Sequence, residues 1–434
     1  MPIVGAYVLD HGDITFHTER YDRNHKLFID PVLSYAAAFV NNGGAASVAV
    51  DGSGYVYMAG SNVVMKMSIS GSGAATVAYS TYVGNVNITN IATDGAGNTY
   101  LTGGSAGGQS VPIFHGFQPT CSLVPGHGGT CVFLIKLNSD GSSILYSTYT
   151  VADPGGLRPS VAANSNGNAY IATNTPYSYA TKNAYQATIR GNSDVFIAKV
   201  DTNQSGDASL IYSTFFGGTL GDVPTAVATD SYGNVYVTGI TVSSDFPLRI
   251  PLQATSDGLS DIFVIKLDPS GVLLYSTYLG GGDNEGGSGI AVDANSNIYI
   301  TGWVGPGFPI HNGFQTIYGG GAGDALVAKI SADGTNLLYS TFLGGKEIDF
   351  PNGIAVDAVG NVYVAGTTLS PDIPEMNALP VGALKTSDGG TTWSVPGIGL
   401  RFSNRTIAID PQQPTLFYIS GDKGIYKSAD AAST

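Results

Sequence analysis

The sequence is short of charge, of cysteine and of long apolar runs. Only 12% of its 434 residues are charged, and 32 Asp and Glu against 18 Lys and Arg give a net charge of −14. No basic cluster occurs, and because an acidic surface repels phosphate, nucleic acid and anionic membranes are excluded as partners. No apolar run approaches the roughly 20 residues of a membrane helix, so we expect no transmembrane segment.

Catalytic and export signatures are also missing. The chain has no G-x-S-x-G, no H-E-x-x-H and no phosphate loop. Met1–Asp10 has neither a basic region nor a long apolar core, so no signal peptide opens the chain. We expect the chain to be a fragment of a longer protein, which would also explain the missing signal peptide. Ligand identity and oligomeric state are left open.

Glycine and tyrosine are abundant instead, with 60 Gly and 25 Tyr. This combination is typical of many short strands joined by tight turns, since glycine supplies positive φ angles and tyrosine favours strands.

A strand–turn–strand motif recurs seven times, at spacings of roughly 40 to 70 residues, which is the range of propeller blades. It reads AVATDSYGNVYVTG or GIAVDANSNIYITG, and its turn residues are Asp51, Asp94, Asn164, Asp230, Asp293, Asp357 and Asp410. Each copy is followed by an apolar strand with one lysine (Lys66, Lys136, Lys199, Lys266, Lys329, Lys385, Lys427). A YST strand follows most copies, with TTWSV around Trp393 in its place in the sixth.

Four strands per repeat predict an all-β propeller of four-stranded antiparallel blades. The last repeat lacks its fourth strand, and a degenerate one, LSYAAAFV at residues 33–40, precedes the first repeat. Pairing these two would close the ring and hide both edges, so we predict seven blades with N-terminal strand closure. Six blades plus the start of another domain is the alternative. We assign residues 1–31 to a preceding β domain or extension and residues 32–434 to the propeller.

The words YSTYLGG, GIAVD, GNVYVTG and VAK resemble a bacterial β-propeller repeat family over about residues 32–380. The resemblance implies a large secreted or surface-attached protein. Residues 1–31, through FHTERYD and LFIDPVLSY, resemble the end of a β domain that precedes such propellers. KTSDGGTTW (residues 385–393) resembles an Asp-box of sialidase-like propellers, and KSADAAST resembles a second one. Arginines are few and scattered, so sialidase chemistry is rejected.

Blade geometry indicates which face is functional. Turns between first and second strands and between third and fourth strands are short and regular, and we interpret their aspartates as structural. Loops between second and third strands are long and variable (residues 103–130, 174–194, 240–261, 303–324 and 367–381). Such loops on a rigid scaffold usually carry function, so we expect any site on this face, at or near the channel mouth.

Three consecutive loops between blades carry an acid at one position: Asp222, Glu285 and Asp349. We expect them to form an arc at the channel mouth, where carboxylates could hold a hard cation such as Ca²⁺ or receive a cationic ligand. The alternative is that they are solvated and cap backbone N–H groups. With the nearby His311, they are candidates for a metal-assisted hydrolase or lyase.

The turn DTNQSGD resembles the start of a calcium loop, with oxygens on Asp201, Asn203, Ser205 and Asp207. It lacks an acid at its twelfth position, where Tyr212 stands, so a bulged hairpin is the alternative. We expect no cofactor other than calcium.

Cys121 and Cys131 flank one long loop, and we predict a disulfide, as in secreted proteins. A metal site formed with His115 and His127 is a weaker alternative, because the spacing matches no familiar zinc pattern.

The seven lysines, one per blade, are interpreted as contacts between blades rather than as a cationic ring. Among the loop aromatics, Trp303 does not recur in the repeat and is the better candidate to stack on a ligand.

The sequence thus favours a secreted or cell-surface propeller that binds a glycan, a protein or a neighbouring subunit through its long-loop face. The alternative is the enzyme at the channel mouth. A third hypothesis is a structural module in which residues 1–31 contact another subunit.

Overall fold

The computed structural model describes residues 5–10, 13–18, 35–37, 45–69, 75–106, 111–121, 130–153, 159–373, 383–386, 393, 404–414, 416–421 and 424–427. The chain divides into two compact units, Met1–Pro31 and Val32–Thr434. In the first unit, β1 (Gly5–Asp10) and β2 (Asp13–Thr18) pair as an antiparallel two-stranded sheet.

The second unit is a ring of antiparallel blades. Blade 1 comprises β4 (Ser47–Val50), β5 (Val56–Gly60), β6 (Val63–Ile69) and β7 (Ala75–Tyr82). Blade 2 comprises β8 (Asn87–Thr93), β9 (Thr99–Ala106), β10 (Thr130–Leu137) and β11 (Ile144–Asp153). Blade 3 comprises β12 (Ser160–Ala163), β13 (Asn168–Thr175), β14 (Asp194–Asp201) and β15 (Leu210–Phe216). A 3₁₀ turn, Gly206–Ala208, precedes β15.

Blade 4 comprises β16 (Asp222–Thr229), β17 (Val235–Thr241), β18 (Asp261–Leu267) and β19 (Leu273–Leu279). Blade 5 comprises β20 (Gly286–Val292), β21 (Ile298–Val304), β22 (Asp324–Ile330) and β23 (Leu337–Leu343). Blade 6 shows β24 (Asp349–Val356), β25 (Val362–Thr368) and β26 (Ala383–Thr386). Of the residues predicted for its fourth strand, only Trp393 is described, and the rest of both Asp-box-like stretches lies outside the described residues apart from Lys385, Thr386 and Lys427.

Blade 7 closes the ring as predicted. It comprises β27 (Asn404–Ile409), β28 (Phe417–Gly421), β29 (Gly424–Lys427) and, as its fourth strand, the N-terminal β3 (Tyr35–Ala37). Strand β29 pairs with β3 in antiparallel register, with Ile425 opposite Ala37 and Lys427 opposite Tyr35. The seven-bladed all-β propeller with N-terminal strand closure is confirmed, and the six-bladed alternative is wrong.

The core lies between the blades rather than within them. The buried apolar side chains of the described residues form seven clusters, and each cluster joins two neighbouring blades, including blades 7 and 1. Strands such as β17 and β22 are therefore buried on both faces, which explains their nearly continuous apolar sequence. This packing makes a rigid disc on which the connecting loops are held.

The aspartate turns owe their shape to one backbone conformation. The residue three positions after the turn Asp or Asn has positive φ in six blades, and it is Gly54, Gly97, Gly167, Gly233, Gly360 or, in blade 5, Ser296 (φ 64°). Glycine adopts this conformation without a Cβ penalty, so these letters recur for structural reasons.

Candidate functional site

The turn between the first two strands of each blade carries a hydrogen-bond network. Asp230 accepts the N–H groups of Tyr232 and Asn234 at Oδ1, and the Tyr236 hydroxyl (2.8 Å) and Ser296 hydroxyl (3.2 Å) at Oδ2. Burial alone would raise the pKa of Asp230, but hydrogen bonds from Asn234, Tyr236 and Ser296 outweigh it and lower the pKa. Both oxygens of this carboxylate therefore accept hydrogen bonds from the protein, which agrees with a structural role for the turn aspartates.

The repeated lysines lie beside these turns and join neighbouring blades. The Lys266 ammonium lies 5.1 Å from the centroid of the Tyr236 ring and donates to the carbonyl oxygen of Ala332 in the next blade at 2.9 Å. Burial lowers the pKa of Lys266. Four sister lysines also reach an oxygen of the following blade: Lys66, Lys136, Lys199 and Lys427. The geometry agrees with a structural role for these cations.

In blades 2 to 5, the described parts of the long loops between second and third strands run back along the outer edge of their own blades. In blade 5, His311 exchanges hydrogen bonds with Ser340 of β23: the Ser340 N–H donates to the His311 carbonyl, and the His311 N–H donates to Ser340 Oγ. Gln315 makes a second bridge, to Phe342. Equivalent bridges in blades 2 to 4 begin at Phe114, Lys182 and Arg249. These loops therefore cover the edge of the fourth strand, which would otherwise be open to pairing.

This path separates His311 from the acids with which it was grouped. The side chain of His311 is exposed on the outer edge of blade 5, and its counterparts in other blades are Phe114, Lys182 and Arg249. Its backbone follows a shared pattern, since Asn312 after it has positive φ, as do His115, Asn183 and Ile250 after its counterparts. His311 therefore does not meet Asp222, Glu285 and Asp349 at one site.

The two cysteines are joined in a disulfide, with 5.6 Å between their Cα atoms. His115 lies elsewhere in the same loop, where its Nδ1 contacts the hydroxyl of Ser205 at 2.8 Å. His127, the other histidine considered with the cysteines, lies outside the described residues. Sulfur atoms in a disulfide are unavailable as thiolate ligands.

The turn that resembles a calcium loop sends its oxygens in different directions. Asp201 Oδ1 accepts the N–H of Asn203, while the Asn203 amide donates to Asn166 of blade 3. The Ser205 hydroxyl contacts His115 of blade 2, and Asp207 is exposed. Only Asp201 and Asp207 are carboxylates, and the turn is organised by contacts within and between blades.

Asp222, Glu285 and Asp349 lie beneath the long-loop face, not on the channel wall. Each is buried, with exposure of 0, 0 and 2%, and each stands at or just before the start of a first strand. Their N–H groups donate to the backbone of the preceding blade, for example Glu285 to Ser260 at 2.9 Å. The expected arc around the channel mouth is thus replaced by three separate sites between blades 3 and 4, 4 and 5, and 5 and 6.

At each of these sites the acid meets a second buried acid. The partners are the first residues of third strands in the preceding blades: Asp194, Asp261 and Asp324, all 0% exposed. Sequence reasoning missed them, although a signal is present. In these three consecutive blades an aspartate stands five residues before the repeated lysine, whereas blade 2 has Cys131 there.

Each partner also fixes its own long loop. Asp194 accepts the N–H groups of Arg190 (2.9 Å) and Gly191 (3.1 Å). Asp261 accepts the N–H of Asp257, and Asp324 accepts that of Gly319.

Burial raises the pKa of every one of these six carboxyls. The pKa of Glu285 rises to about 7, first through burial and then through the charges of Asp261 and Asp283. Backbone N–H groups of Gly281 and Asp283 oppose this rise, without forming hydrogen bonds of normal geometry to the carboxylate. The pKa of Asp324 rises to about 6 through burial and the charge of Asp349.

Among the described residues, no group of three or more His, Cys, Asp or Glu could hold a metal ion by itself.

A central channel of about 510 Å³ runs along the first strands of the seven blades. It lies within the 300–1,000 Å³ range of ligand pockets. A register shift in β8, β16, β20 and β24 leaves one extra residue at the wall: Thr89, Thr225, Ser288 and Asn352. Hydroxyl, amide and small apolar groups line the channel, and none of the described lining residues is ionisable.

Two aromatic side chains lie two positions along the strands from channel-lining residues or pack on a residue that does, although neither aromatic residue lines the channel itself. Trp303 packs over Gly286, two residues from the lining residue Ser288, and a Cβ at Gly286 would lie 2.6 Å from the indole nitrogen. Phe350 of blade 6, two residues from the lining residue Asn352, is 39% exposed, and its ring lies 6.4 Å from that of Trp303 in an edge-to-face arrangement. Trp303 itself is partly buried. Phe350 was missed because only the fold brings it beside Trp303.

The sequence model of a family described as "Beta-propeller repeat" matches residues 211–247, 274–303 and 338–374. These three stretches are therefore similar to propeller repeats. A search of the curated proteins found no match.

Solved structures resemble the fold at low identity. The Niastella koreensis GH74 enzyme aligns at a TM-score of 0.52 and 13% identity, covering 92% of this chain and 54% of that one. An extracellular domain of the two-component system BT4673 from B. thetaiotaomicron aligns at 0.45 and 9%, covering 91% and 39%. YCF48 bound to D1 peptide aligns at 0.48 and 13%, covering 90% and 93%. The chain thus spans about half or less of the first two.

Proposed function

We propose that this chain is a binding scaffold for a neutral glycan, which enters the central channel from the long-loop side and stacks on Trp303 and Phe350. The observation that carries the proposal is the contact between Trp303 and Phe350, two residues close in sequence and fold to a channel lined by hydroxyl and amide groups. Aromatic rings offer flat apolar surface with a polar edge, and sugar rings present C–H faces and hydroxyl edges that match both surfaces.

The character of the channel wall supports a neutral ligand over a charged one. The described lining residues include no ionisable group, so an ionic ligand would lose hydration without gaining a counter-charge. Thr225 and Ser288 bond to carbonyl oxygens through their hydroxyl hydrogens, at 3.2 and 3.3 Å, so their lone pairs remain for ligand hydroxyls. The wall differs around the ring, because Asn90, Ser160 and Thr406 bond across blades whereas Gly289 and Gly353 carry no side chain there.

The hydrolase or lyase alternative receives no comparable support. Its acids are buried in three separate places between blades, and His311 lies on the outer edge of blade 5. Such an arrangement provides no shared position where a substrate atom could meet two of these groups.

We also propose that the chain acts outside the cell or at its surface. The disulfide between Cys121 and Cys131 supports this, since such bonds persist in oxidising compartments. No helix among the described residues has the length and apolar character needed to span a bilayer.

The N-terminal unit supports a contact with another subunit. Its described residues form a sheet of only two strands, β1 and β2. A two-stranded sheet is marginally stable by itself, so pairing with a further strand would stabilise it. Light scattering of the full chain and of a chain lacking residues 1–31 tests this, since loss of self-association on truncation is expected and equal masses would contradict it.

A glycan screen followed by tryptophan fluorescence tests the main proposal. The chain has only two tryptophans, Trp303 and the buried Trp393. A neutral oligosaccharide identified on an array should change the emission of the W393F protein, whose remaining indole is that of Trp303. The W303F protein should show no change on the same titration. Binding of only charged glycans, or capture of a protein partner with no glycan bound, would contradict the proposal.

A further inference from the structure

Glu285 and Asp261 direct their carboxylates at one point inside the protein. A Cβ placed on Gly280 would lie 1.9 Å from Asp261 Oδ1 and 3.0 Å from Glu285 Oε2. Both acids are fully buried, and Gly280 is what leaves room for them.

No hydrogen bond of normal geometry reaches the oxygens at this point, although the backbone N–H groups of Gly281 and Asp283 lie near the Glu285 carboxylate. Both oxygens of Glu285 and Oδ1 of Asp261 accept no hydrogen bond. None of the ion pairs among the described residues includes either acid. Buried carboxylates without a donor or a counter-charge are costly, so an arrangement of this kind indicates a group that is bound there.

A related pair of buried acids occurs between the blades on either side. A Cβ on Gly217 would lie 2.6 Å from Asp194 Cγ and 2.7 Å from Asp222 Oδ2. Asp222 Oδ2 accepts the Gly218 N–H and the Ser243 hydroxyl, while Asp222 Oδ1 accepts no hydrogen bond.

Between blades 5 and 6, a Cβ on Gly344 would lie 2.5 Å from Asp324 Oδ1. That oxygen and Oδ1 of Asp349 accept no hydrogen bond. Three consecutive blade interfaces therefore each contain two buried acids, with a glycine packed against both acids at two interfaces and against Asp324 at the third.

At two of the three interfaces, a carbonyl oxygen of the glycine-rich loop faces a glycine of the neighbouring long loop. The glycine-rich loops pack backbone against backbone, so the Gly281 carbonyl would lie 3.3 Å from a Cβ on Gly258, and the Gly218 carbonyl 2.8 Å from a Cβ on Gly191. Gly191 also donates to Asp194. Carboxylate and carbonyl oxygens are the ligands that hard divalent cations prefer, and water usually completes their coordination.

We propose that each of the three acid pairs, Asp194–Asp222, Asp261–Glu285 and Asp324–Asp349, holds one hard divalent cation, Ca²⁺, between neighbouring blades. The cation neutralises two carboxylates that would otherwise repel each other and fastens the long loop of one blade to the first strand of the next. The sites are independent of the glycan channel, because none of these acids lines it.

Calcium stoichiometry tests the proposal. The full chain is stripped with chelator, dialysed against Ca²⁺ and analysed by mass spectrometry of the metal. We expect three Ca²⁺ per chain for the natural protein, two for E285Q, and three for D283N, a matched control that alters an exposed acid in the same loop. Mg²⁺ is run in parallel and should bind more weakly, since it demands stricter geometry.

Thermal unfolding distinguishes lost binding from misfolding. Calcium should raise the unfolding temperature of the natural protein and of D283N by several degrees, and that of E285Q by less. In chelator, E285Q should be at least as stable as the natural protein, because an amide removes the repulsion with Asp261. No bound calcium at millimolar concentration, or an equal count in E285Q, would overturn the proposal and leave a shared proton as the bridge between each pair.

Discussion

Cys131 of blade 2 and Asp194 of blade 3 occupy the same place in their blades, five residues before the repeated lysine, and both fix the long loop of their own blade. Asp194 does so by accepting the N–H groups of Arg190 and Gly191, and Cys131 does so through its disulfide with Cys121. Both residues are buried. The fold therefore uses a covalent bond in one blade where hydrogen bonds to a carboxylate serve in others.

Reduction of the disulfide should lower the free energy of unfolding by roughly 2–3 kcal/mol, the chain-entropy value for a loop of about ten residues. Denaturant unfolding with and without reductant measures the difference. A C121S/C131S protein should be insensitive to reductant, and a natural protein equally insensitive would show that this loop is held by its other contacts.

Replacement of Lys266 by alanine should lower the free energy of unfolding by about 2 kcal/mol. The substitution removes a charged hydrogen bond to Ala332 and the contact with the Tyr236 ring. K346A is the matched control. Its side chain is 81% exposed and pairs with Asp372 at the surface, so its loss should cost under about 0.5 kcal/mol. Equal effects of the two variants would contradict the structural role of the repeated lysines.

Asp230 should contribute stability that disappears in acid. Its pKa in the folded state lies below its ordinary value of 3.8, so its contribution is complete above that value and is lost as the pH falls through the folded-state pKa. D230N cannot titrate. The difference in unfolding temperature between the natural protein and D230N should therefore shrink as the pH falls below about 4. If the difference in unfolding temperature stays constant with pH, the charge of Asp230 does not contribute to the effect of the substitution.

Glu285 predicts the opposite trend in the calcium-free protein. Its pKa rises from 4.5 to about 7 on folding, since burial and the charges of Asp261 and Asp283 disfavour the carboxylate. A group whose pKa is raised on folding contributes stability at pH values below its unfolded-state pKa. This contribution is lost as the pH rises through its folded-state pKa. In chelator, the unfolding temperature of the natural protein should fall between about pH 4.5 and 7, and E285Q should show a shallower fall. If the unfolding temperatures of both proteins fall equally steeply with pH, a group other than Glu285 causes the fall.

The sequence predicted the ring well because each blade repeats the same local signals. The alternating strands, the turn Asp and the following glycine occur at fixed offsets, and the unpartnered strand at residues 33–40 required a partner. The signals within each blade are local, whereas the closure of the ring followed from the unpaired edges at the two ends of the repeat array.

Because the length and variability of a loop do not show which way it runs, the sequence does not predict that the long loops follow the outer edge of their blades. Their path along the outer edge depends on bridges between residues about 30 positions apart, such as His311 with Ser340. The pairing of Asp261 with Glu285 likewise joins two blades, and each acid alone resembles an ordinary loop residue. A search for acids at fixed offsets from both the lysine and the first strand would have identified it.

The sequence alone could not place Phe350 beside Trp303, because the two residues come from different blades. The central claim is that a neutral glycan stacks on this pair. That claim is tested most directly by the affinity of the screened glycan for the natural protein, W303A, F350A and a control variant. Y185A is the control, because Tyr185 is a 48% exposed aromatic in the outer-edge loop of blade 3. Isothermal titration calorimetry should show affinity falling about tenfold for W303A and less for F350A, the scale of one aromatic contact. Y185A should bind as the natural protein does. Unchanged affinity in W303A and F350A would place the ligand away from the channel mouth and contradict the account.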